Sequence, residues 1–242
     1  MSKEYDEITA FHYAAYRPSL HSRILSNFFA GNSKYALGLD VGCGTGHSSI
    51  AIVAYCKKVI GIDPSKDMLQ RSLAHPGVEY ILYDRKNLDF ANDQFDIITF
   101  AGSLYYAKSQ QLLNEIVRVC KDDARILVYD FEIPLDKILQ LLKVGSHSKQ
   151  PSEYDHQVNF SGLDQKSITL EKELSQSFSI NISISNLSHL LLSSKDNYTV
   201  LRKKFGDGDL YIKVSQKLHT VLNSEKTAVK AMTYSTFYSV IK

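Results

Sequence analysis

The chain has 242 residues, a formal net charge of +2, 44% apolar residues and 22% charged residues. These values are typical of one globular domain, and so small a net charge argues against the basic surface that nucleic-acid binding requires. The apolar runs are short, such as residues 50–56, so we predict no membrane-spanning segment.

The opening MSKEYDEITA is polar and acidic, so we expect no signal peptide. The three cysteines are odd in number and unrelated in spacing, which fits neither a disulfide framework nor a zinc site. Asp130 and Glu132 form only a single acidic pair. We therefore predict reduced core thiols, a cytoplasmic protein and no bound metal.

The first half of the chain alternates predicted strands and helices. Residues 5–29 predict two short helices interrupted at Pro18, and the apolar run Tyr35–Val41 predicts the first strand. Further strands are predicted at 58–62, 78–83, 95–101 and 125–131, and helices at 48–56, 65–74 and 110–121. This alternation indicates right-handed crossovers, a parallel sheet and helices on both faces.

After residue 131 the pattern changes. The polar, turn-rich segment 145–167 predicts a mobile loop or lid, and the alternation of Phe178, Ile180, Ile182 and Ile184 with polar residues predicts a strand. Residues 187–222 predict helices broken at 206–208, followed by a closing strand at 234–241. The predicted fold is α/β, a doubly wound, seven-stranded, mostly parallel sheet with an N-terminal helical cap.

A glycine cluster follows the first predicted strand. Gly42, Gly44 and Gly46 are spaced by two residues, which allows a sharp turn and a close approach of the backbone to a ligand. The cluster stands at the carboxyl end of its strand, where open α/β sheets bind ligands. Taken alone, such a triplet is also compatible with a tight strand-to-helix turn that binds nothing.

Aspartates stand at the ends of three consecutive strands. Asp40 comes directly before the glycines, Asp63 ends the second strand and Asp84 ends the third. A carboxylate in the position of Asp63 can accept both hydroxyls of a ribose, and Asp84 is placed to accept from an adenine amine. Asp40 would repel a pyrophosphate but suits a ligand that carries an amino group and a sulfonium. Each aspartate could instead cap a helix or turn.

These motifs, LDVGCGTGHSS, VIGIDPSKDML, Tyr83-Asp84 and QFDIITFAGSLYYA, resemble the class I S-adenosylmethionine-dependent methyltransferases over residues 34–131. The resemblance implies the Rossmann-like class I fold, S-adenosyl-L-methionine as cofactor and a single methyltransferase domain over 1–242. That domain would comprise a helical cap (1–33), a cofactor-binding core (34–131) and an acceptor-side lid with the last strands (132–242). Asp40 would hold the cofactor's amino group directly or through water. The other implied cofactor-binding residues are Gly42, Cys43, Gly44, Gly46, Asp63, Pro64, Met68, Tyr83, Asp84 and Ala101.

The N-terminal FHYAAYRPSLHSRIL resembles small-molecule methyltransferases related to trans-aconitate methyltransferase. That group often has Leu-His-Trp after the fourth strand, where this chain has Leu104-Tyr105-Tyr106, so the acceptor does not carry over. We expect a small-molecule acceptor, a carboxylate or a hydroxyl, near Tyr13, Tyr16, Arg17, Tyr105 and Tyr106. Arg17 is the candidate anchor for a carboxylate, whether the cofactor's or an acceptor's. No histidine stands out as a base.

Three other functions remain open at the level of sequence. An NAD-dependent oxidoreductase would share the architecture, but position 47 is His where its glycine motif requires Gly. A non-catalytic, cofactor-binding regulatory protein would have lost the acceptor site. The third function is methylation of RNA or protein, and the small net charge weighs against RNA. The sequence does not predict an oligomeric state.

Overall fold

A computed structural model of the chain describes residues 7–29, 35–84, 87–145 and 154–242. Over these residues there are seven strands, and in the first half strands alternate with helices except between the third and fourth strands. The strands are β1 Tyr35–Val41, β2 Cys56–Asp63, β3 Val78–Leu82, β4 Phe95–Ala101, β5 Cys120–Glu132, β6 Ile168–Ser183 and β7 Lys226–Val240.

The described residues also contain nine α-helices and one short 3-10 turn, Leu104–Tyr106. The helices are α1 Glu7–Ala15, α2 His21–Leu25, α3 His47–Ile52, α4 Lys66–Gln70, α5 Gln110–Val119, α6 Asp136–Leu141, α7 Ile184–Leu192, α8 Lys195–Phe205 and α9 Leu210–Leu222.

The seven strands form one sheet in the order β3-β2-β1-β4-β5-β7-β6. The pairs β2–β3, β1–β2, β1–β4 and β4–β5 are parallel. The predicted seven-stranded, mostly parallel sheet is therefore confirmed. The chain leaves β1 toward β2 on one side and returns to β4 on the other, so the carboxyl ends of β1 and β4 flank the switch point where such sheets bind ligands.

α5 shows how the sequence specifies an element. The Ser109 hydroxyl accepts a hydrogen bond from the Leu112 N–H at 3.2 Å and so caps the helix. Leu112, Leu113 and Ile116 then form a buried face at helical spacing. The helix predicted over 110–121 is two residues too long, because α5 ends at Val119 and Cys120 begins β5.

Several other element lengths differ from prediction, and α4 and β2 show why. α4 ends at Gln70 and not at residue 74, because the Leu73 N–H donates to Thr45 O at 3.0 Å, outside any helix. β2 begins at Cys56, two residues early, because Cys56 pairs with Tyr35 at the start of β1. The predicted break after α8 is confirmed at Gly206 and Gly208, both with positive φ. Of the predicted loop 145–167, residues 146–153 lie outside the described residues.

The chain divides into two compact units. The sheet unit comprises residues 19–131, 154–176 and 233–242, and its core is built around Leu39, Ile98, Phe100, Ile126 and Phe160. The helical unit comprises residues 1–18, 132–153 and 177–232, and it has its own apolar core. That second core is made by α6 to α9, with members such as Leu139, Leu191, Leu201 and Val214.

Candidate active site

The glycine loop turns sharply at the end of β1. Gly42, Gly44 and Gly46 all have positive φ, at 73°, 53° and 85°. The N–H groups of Gly42 and Cys43 both donate to Ile62 O, at 2.8 and 3.0 Å, which ties the loop to the end of β2. A methyl group added at Gly44 would meet no atom within 4 Å. At Gly44 the loop therefore presents bare backbone to open space.

The other two glycines are required by packing. A Cβ at Gly42 would lie 2.4 Å from the Cβ of Ser103, and a Cβ at Gly46 would lie 2.0 Å from the hydroxyl of Tyr80. The Tyr80 hydroxyl donates to Leu73 O at 2.9 Å, and burial raises the pKa of Tyr80 to about 12. Neither Ser103 nor Tyr80 was predicted from the sequence, although strand alternation in β3 puts Tyr80 on one face with Val78.

Asp40 is fully buried beneath the loop. Its Oδ2 accepts from the hydroxyls of Ser48 and Ser49, both at 2.6 Å, and its Oδ1 accepts from Thr99 at 2.9 Å. Burial raises the pKa of Asp40, and the three hydroxyl hydrogen bonds partly oppose this. The carboxylate is 0% exposed. Its predicted contact with a cofactor amino group stays a prediction, and the observed contacts are those of a group that holds the loop from below.

Asp63 links the end of β2 to the glycine loop. Its Oδ2 accepts from the Gly44 N–H at 2.9 Å and its Oδ1 accepts from the Ser65 N–H at 2.8 Å. The side chain is 8% exposed, so its surface is nearly covered by the turn that it organises. Asp63, the residue predicted to bind a ribose, therefore lies directly beside the open backbone of Gly44.

The residues predicted to surround adenine follow β2 and β3. Pro64, Met68 and Tyr83 are half-buried, and Asp84 is exposed. The Tyr83 N–H donates to Asp63 O at 3.0 Å, which brings the ends of β2 and β3 together. The Ser65 hydroxyl accepts from the Met68 N–H at 3.3 Å and so fixes the start of α4. The geometry brings these residues to one edge of the sheet.

The loop after β4 carries an aromatic cluster. Ala101 is half-buried, while Tyr105 and Tyr106 are exposed by 36% and 51%. The ring of Tyr154 lies 4.6 Å from that of Tyr105 and 5.6 Å from that of Tyr106, centroid to centroid. Tyr154 was not among the predicted residues.

An Asp–His pair stands beside this cluster. The Nδ1 of His156 lies 2.8 Å from Oδ2 of Asp130, at the end of β5. The Tyr154 hydroxyl lies 2.9 Å from the same oxygen and 2.8 Å from Gly102 O. A Cβ at Gly102 would lie 3.0 Å from Oδ1 of Asp130, so this pair abuts the loop after β4. The one sign of this pair in the sequence was Asp130, an aspartate at the end of a further predicted strand.

Tyr13, Tyr16 and Arg17 lie in the helical unit. The guanidinium carbon of Arg17 stands 4.6 Å from the centre of the Tyr13 ring, a cation–π contact. Tyr16 packs half-buried against the core of that unit, and burial raises its pKa. The predicted acceptor roles of these three residues stay predictions.

α1 is held to α7, within the helical unit, by two histidines. The Nδ1 atoms of His12 and His189 lie 2.9 Å apart, an arrangement that requires one of them to carry the proton and the other to accept it. Burial, and then the neighbouring His189, lower the pKa of His12 to about 4, although Asp209 opposes this. Burial also lowers the pKa of His189.

This pair predicts a loss of stability in acid. The pKa of His12 in the folded state lies below its unfolded value of about 6.5. The contribution of neutral His12 to the stability of the fold is therefore fully present above pH 6.5 and is lost as pH falls toward 4. Between pH 7 and pH 4.5 we expect the wild type to lose about 1–2 kcal/mol more unfolding free energy than His12→Gln does. Urea unfolding of both proteins at each pH measures this, and equal losses would contradict it.

The described residues contain no cluster of three or more histidines, cysteines or acids arranged to hold a metal ion. Within the same ranges, every helix is too short or too polar to cross a bilayer. The three cysteines are buried and form no disulfide, as predicted for core thiols.

Residues 39–128 match the family model described as a methyltransferase domain. YcgJ of Bacillus subtilis, an uncharacterised methyltransferase, is 31% identical over 137 residues, which cover 51% of this chain and 54% of YcgJ. A demethylmenaquinone methyltransferase of Clavibacter sepedonicus is 34% identical over 101 residues, which cover 40% of this chain and 41% of that enzyme. The matches thus span about half the length of these curated relatives.

A solved structure shows the same fold over nearly the whole chain. This candidate type II methyltransferase from Anaeromyxobacter dehalogenans superposes with a TM-score of 0.64 at 14% identity, covering 93% of this chain and 98% of that one. An identity this low shows the fold alone. Residues 39–128 therefore match the model of the methyltransferase domain, and the chain shares the overall fold of that solved structure.

Proposed function

We propose that this chain transfers a methyl group from S-adenosylmethionine to a small-molecule acceptor. The observation that carries the proposal is the pairing of Asp63 with the open backbone of Gly44 at the switch point of the sheet. A carboxylate at the end of β2 suits a ribose, and the bare backbone at Gly44 leaves room for the rest of the ligand. The proposal covers one methyltransferase domain over 1–242, with residues 34–131 as its cofactor-binding core.

The residues at the sheet edge fit an adenosine ligand. The open space above Gly44 can take the methionine part. Each oxygen of Asp63 accepts one backbone N–H, and each has a further lone pair that can accept from a ribose hydroxyl. Half-buried Pro64 and Met68 offer an apolar face for adenine, with exposed Asp84 available to the amine. Asp40 would act from beneath, by fixing Ser48, Ser49 and Thr99.

The bound cofactor would supply an electrophilic methyl group on a sulfonium. The chain's own contribution is then alignment of the acceptor and exclusion of water. Tyr105 and Tyr106 follow β4, and Tyr154, which precedes β6 in the chain, packs on both rings, so the three would present an aromatic wall to an acceptor. The finer placement, in the branch related to trans-aconitate methyltransferase, is part of this proposal and is supported by the Tyr16-Arg17-Pro18 sequence.

Calorimetry with S-adenosylhomocysteine and with NAD tests the proposal. We expect S-adenosylhomocysteine to bind and NAD not to bind. Binding of NAD alone would favour the oxidoreductase. Binding of S-adenosylhomocysteine without turnover across a broad panel of small molecules would favour the non-catalytic regulatory protein.

Asp63→Ala should weaken S-adenosylhomocysteine binding by about 1–3 kcal/mol, or about 5- to 150-fold, because it strands buried hydrogen-bonding groups. Asp122→Ala is the matched control, since it removes the same charge from an exposed site near the start of β5. That site lies at the amino ends of the parallel strands, opposite the carboxyl ends that carry Asp63. Calorimetry on both variants, with thermal unfolding as a check on folding, gives the comparison. An unchanged affinity in a folded Asp63→Ala would place the ribose elsewhere.

A further inference from the structure

We propose that Tyr80 is a positioning residue for the cofactor, because its hydroxyl fixes the connector between α4 and β3 and, through that connector, the glycine loop. The connector comprises residues 71–77. This inference rests on the proposed binding of S-adenosylmethionine and adds a residue that acts on the site through the backbone of its neighbours.

The connector has little apolar packing of its own. None of the side chains of residues 71–77 is buried, and that of Leu73 is 43% exposed. The connector therefore gains little stability from burial of apolar surface. Segments with few buried apolar contacts are those that open most easily in a folded domain. The position of the connector near Leu73 thus depends on hydrogen bonds.

Leu73 is the point at which the connector is tied on both sides. Its N–H donates to Thr45 O at 3.0 Å, and its O accepts from the Tyr80 hydroxyl at 2.9 Å. Thr45 stands between Gly44 and Gly46 in the glycine loop. One residue of the connector therefore joins the glycine loop to the side chain of Tyr80 in β3.

Tyr80 is itself held firmly in place. A Cβ at Gly46 would lie 2.0 Å from the Tyr80 hydroxyl, and a Cβ at Gly61 of β2 would lie 3.0 Å from Cδ1 of the ring. The ring thus occupies the space that two glycines leave between the loop and β2. Burial raises the pKa of Tyr80 to about 12, so the hydroxyl keeps its proton at neutral pH and donates to Leu73 O.

The tie at Leu73 connects the two ends of the proposed cofactor site. α4 carries Met68, which is proposed to pack on adenine, and the connector follows α4 directly. The glycine loop is proposed to take the methionine part at Gly44. The bond from Leu73 to Thr45 therefore sets the distance between these two ends. A ligand that spans both binds more tightly when they are ordered before it arrives, because it does not have to order them itself.

Tyr80→Phe tests this role, since it removes the hydroxyl and keeps the ring. We expect the affinity for S-adenosylhomocysteine, measured by calorimetry, to fall about 2- to 12-fold, the net range for one hydrogen bond. Tyr238→Phe is the matched control. It also removes one tyrosine hydroxyl from the sheet unit, one that accepts from the Phe160 N–H at 3.4 Å, and it should leave the affinity unchanged.

Hydrogen exchange separates positioning from a general loss of stability. In ligand-free Tyr80→Phe, the Leu73 N–H should exchange faster than in the wild type by the same factor as the affinity loss or more. The N–H groups of Leu39 in β1 and Ile98 in β4 should keep their protection, because their strands are untouched. A purely structural role of Tyr80 would lower the unfolding free energy and leave the affinity as it is.

The wild type provides a measurement that needs no variant. Saturating S-adenosylhomocysteine should slow the exchange of the Leu73 N–H, because a ligand that binds the closed arrangement better must favour it. An unchanged exchange rate in the complex would contradict the proposed tie between the connector and the site.

The outcomes are distinguishable. Failure of the wild type to bind S-adenosylhomocysteine would overturn the proposed function itself. If the wild type binds, an affinity loss in Tyr80→Phe no larger than that in Tyr238→Phe would overturn this inference, whatever the change in stability. An affinity loss without faster exchange at Leu73 would also overturn it, since the effect would then not pass through the connector.

Discussion

Gly46→Ala is expected to lower the unfolding free energy by about 2–5 kcal/mol. The left-handed backbone at φ 85° costs a residue with a Cβ about 1–2 kcal/mol, and the new methyl group would stand 2.0 Å from the Tyr80 hydroxyl. That ring is half-buried and donates to Leu73 O, so it can give way only by breaking a hydrogen bond, and overpacking of this kind costs about 1–3 kcal/mol more. Urea unfolding measures the change.

Gly44→Ala is the matched control, because the same substitution meets nothing within 4 Å. It should cost only the backbone penalty of about 1–2 kcal/mol. It should nonetheless weaken S-adenosylhomocysteine binding by at least about tenfold, since the methyl group would fill the space left for the ligand. Equal stability losses in the two variants would contradict this division between a packing glycine and a ligand-facing glycine.

The second large effect is expected at Asp40. Asp40→Ala removes the acceptor of three buried hydroxyls, each of which costs roughly 1–3 kcal/mol when stranded, so we expect a loss of about 3 kcal/mol or more. Asp40→Asn keeps an acceptor oxygen and should lose less. Denaturant unfolding of the two variants at pH 7 tests this order, and a loss in Asp40→Ala no larger than in Asp40→Asn would contradict it.

The same carboxyl predicts an unusual pH dependence. Since burial raises the folded pKa of Asp40, the folded state holds this proton more tightly than the unfolded state does. Its contribution to stability is therefore full below the unfolded pKa of about 4 and is lost as pH rises through the raised value. As pH rises from about 4 through the raised pKa of Asp40, the unfolding free energy of the wild type should fall relative to that of Asp40→Asn. A constant difference would contradict the raised pKa.

The bounds of an element could be predicted from the sequence wherever a local pattern of apolar residues determines that element. β1 and β4 have their predicted bounds because each is a continuous apolar run that ends in glycine or small residues. β5 is longer than predicted, from Cys120 to Glu132, because polar residues at 121–123 break the apolar pattern while the backbone stays extended. α6 had no prediction, although Ile138 and Leu139 are buried in the core of the helical unit.

The site was only partly predictable, and for a physical reason. Strand order fixes where strand ends meet, so Asp63 and the glycine loop could be placed together from their positions alone. Asp130 and His156 lie 26 residues apart, and the sequence from 145 to 156 between them has no periodic pattern that would predict their contact. The contact of Tyr80 with Gly46 depends on the lengths of side chains across neighbouring strands. Such contacts depend on how side chains pack in three dimensions, and no sequence motif predicts them.

The most direct test of the central claim is a crystal structure of the protein grown with S-adenosylhomocysteine. We expect the ribose hydroxyls on the Asp63 carboxylate and the homocysteine chain over Gly44. A crevice that stays empty at saturating ligand, or that takes the pyrophosphate of NAD on the glycine loop, would contradict the account.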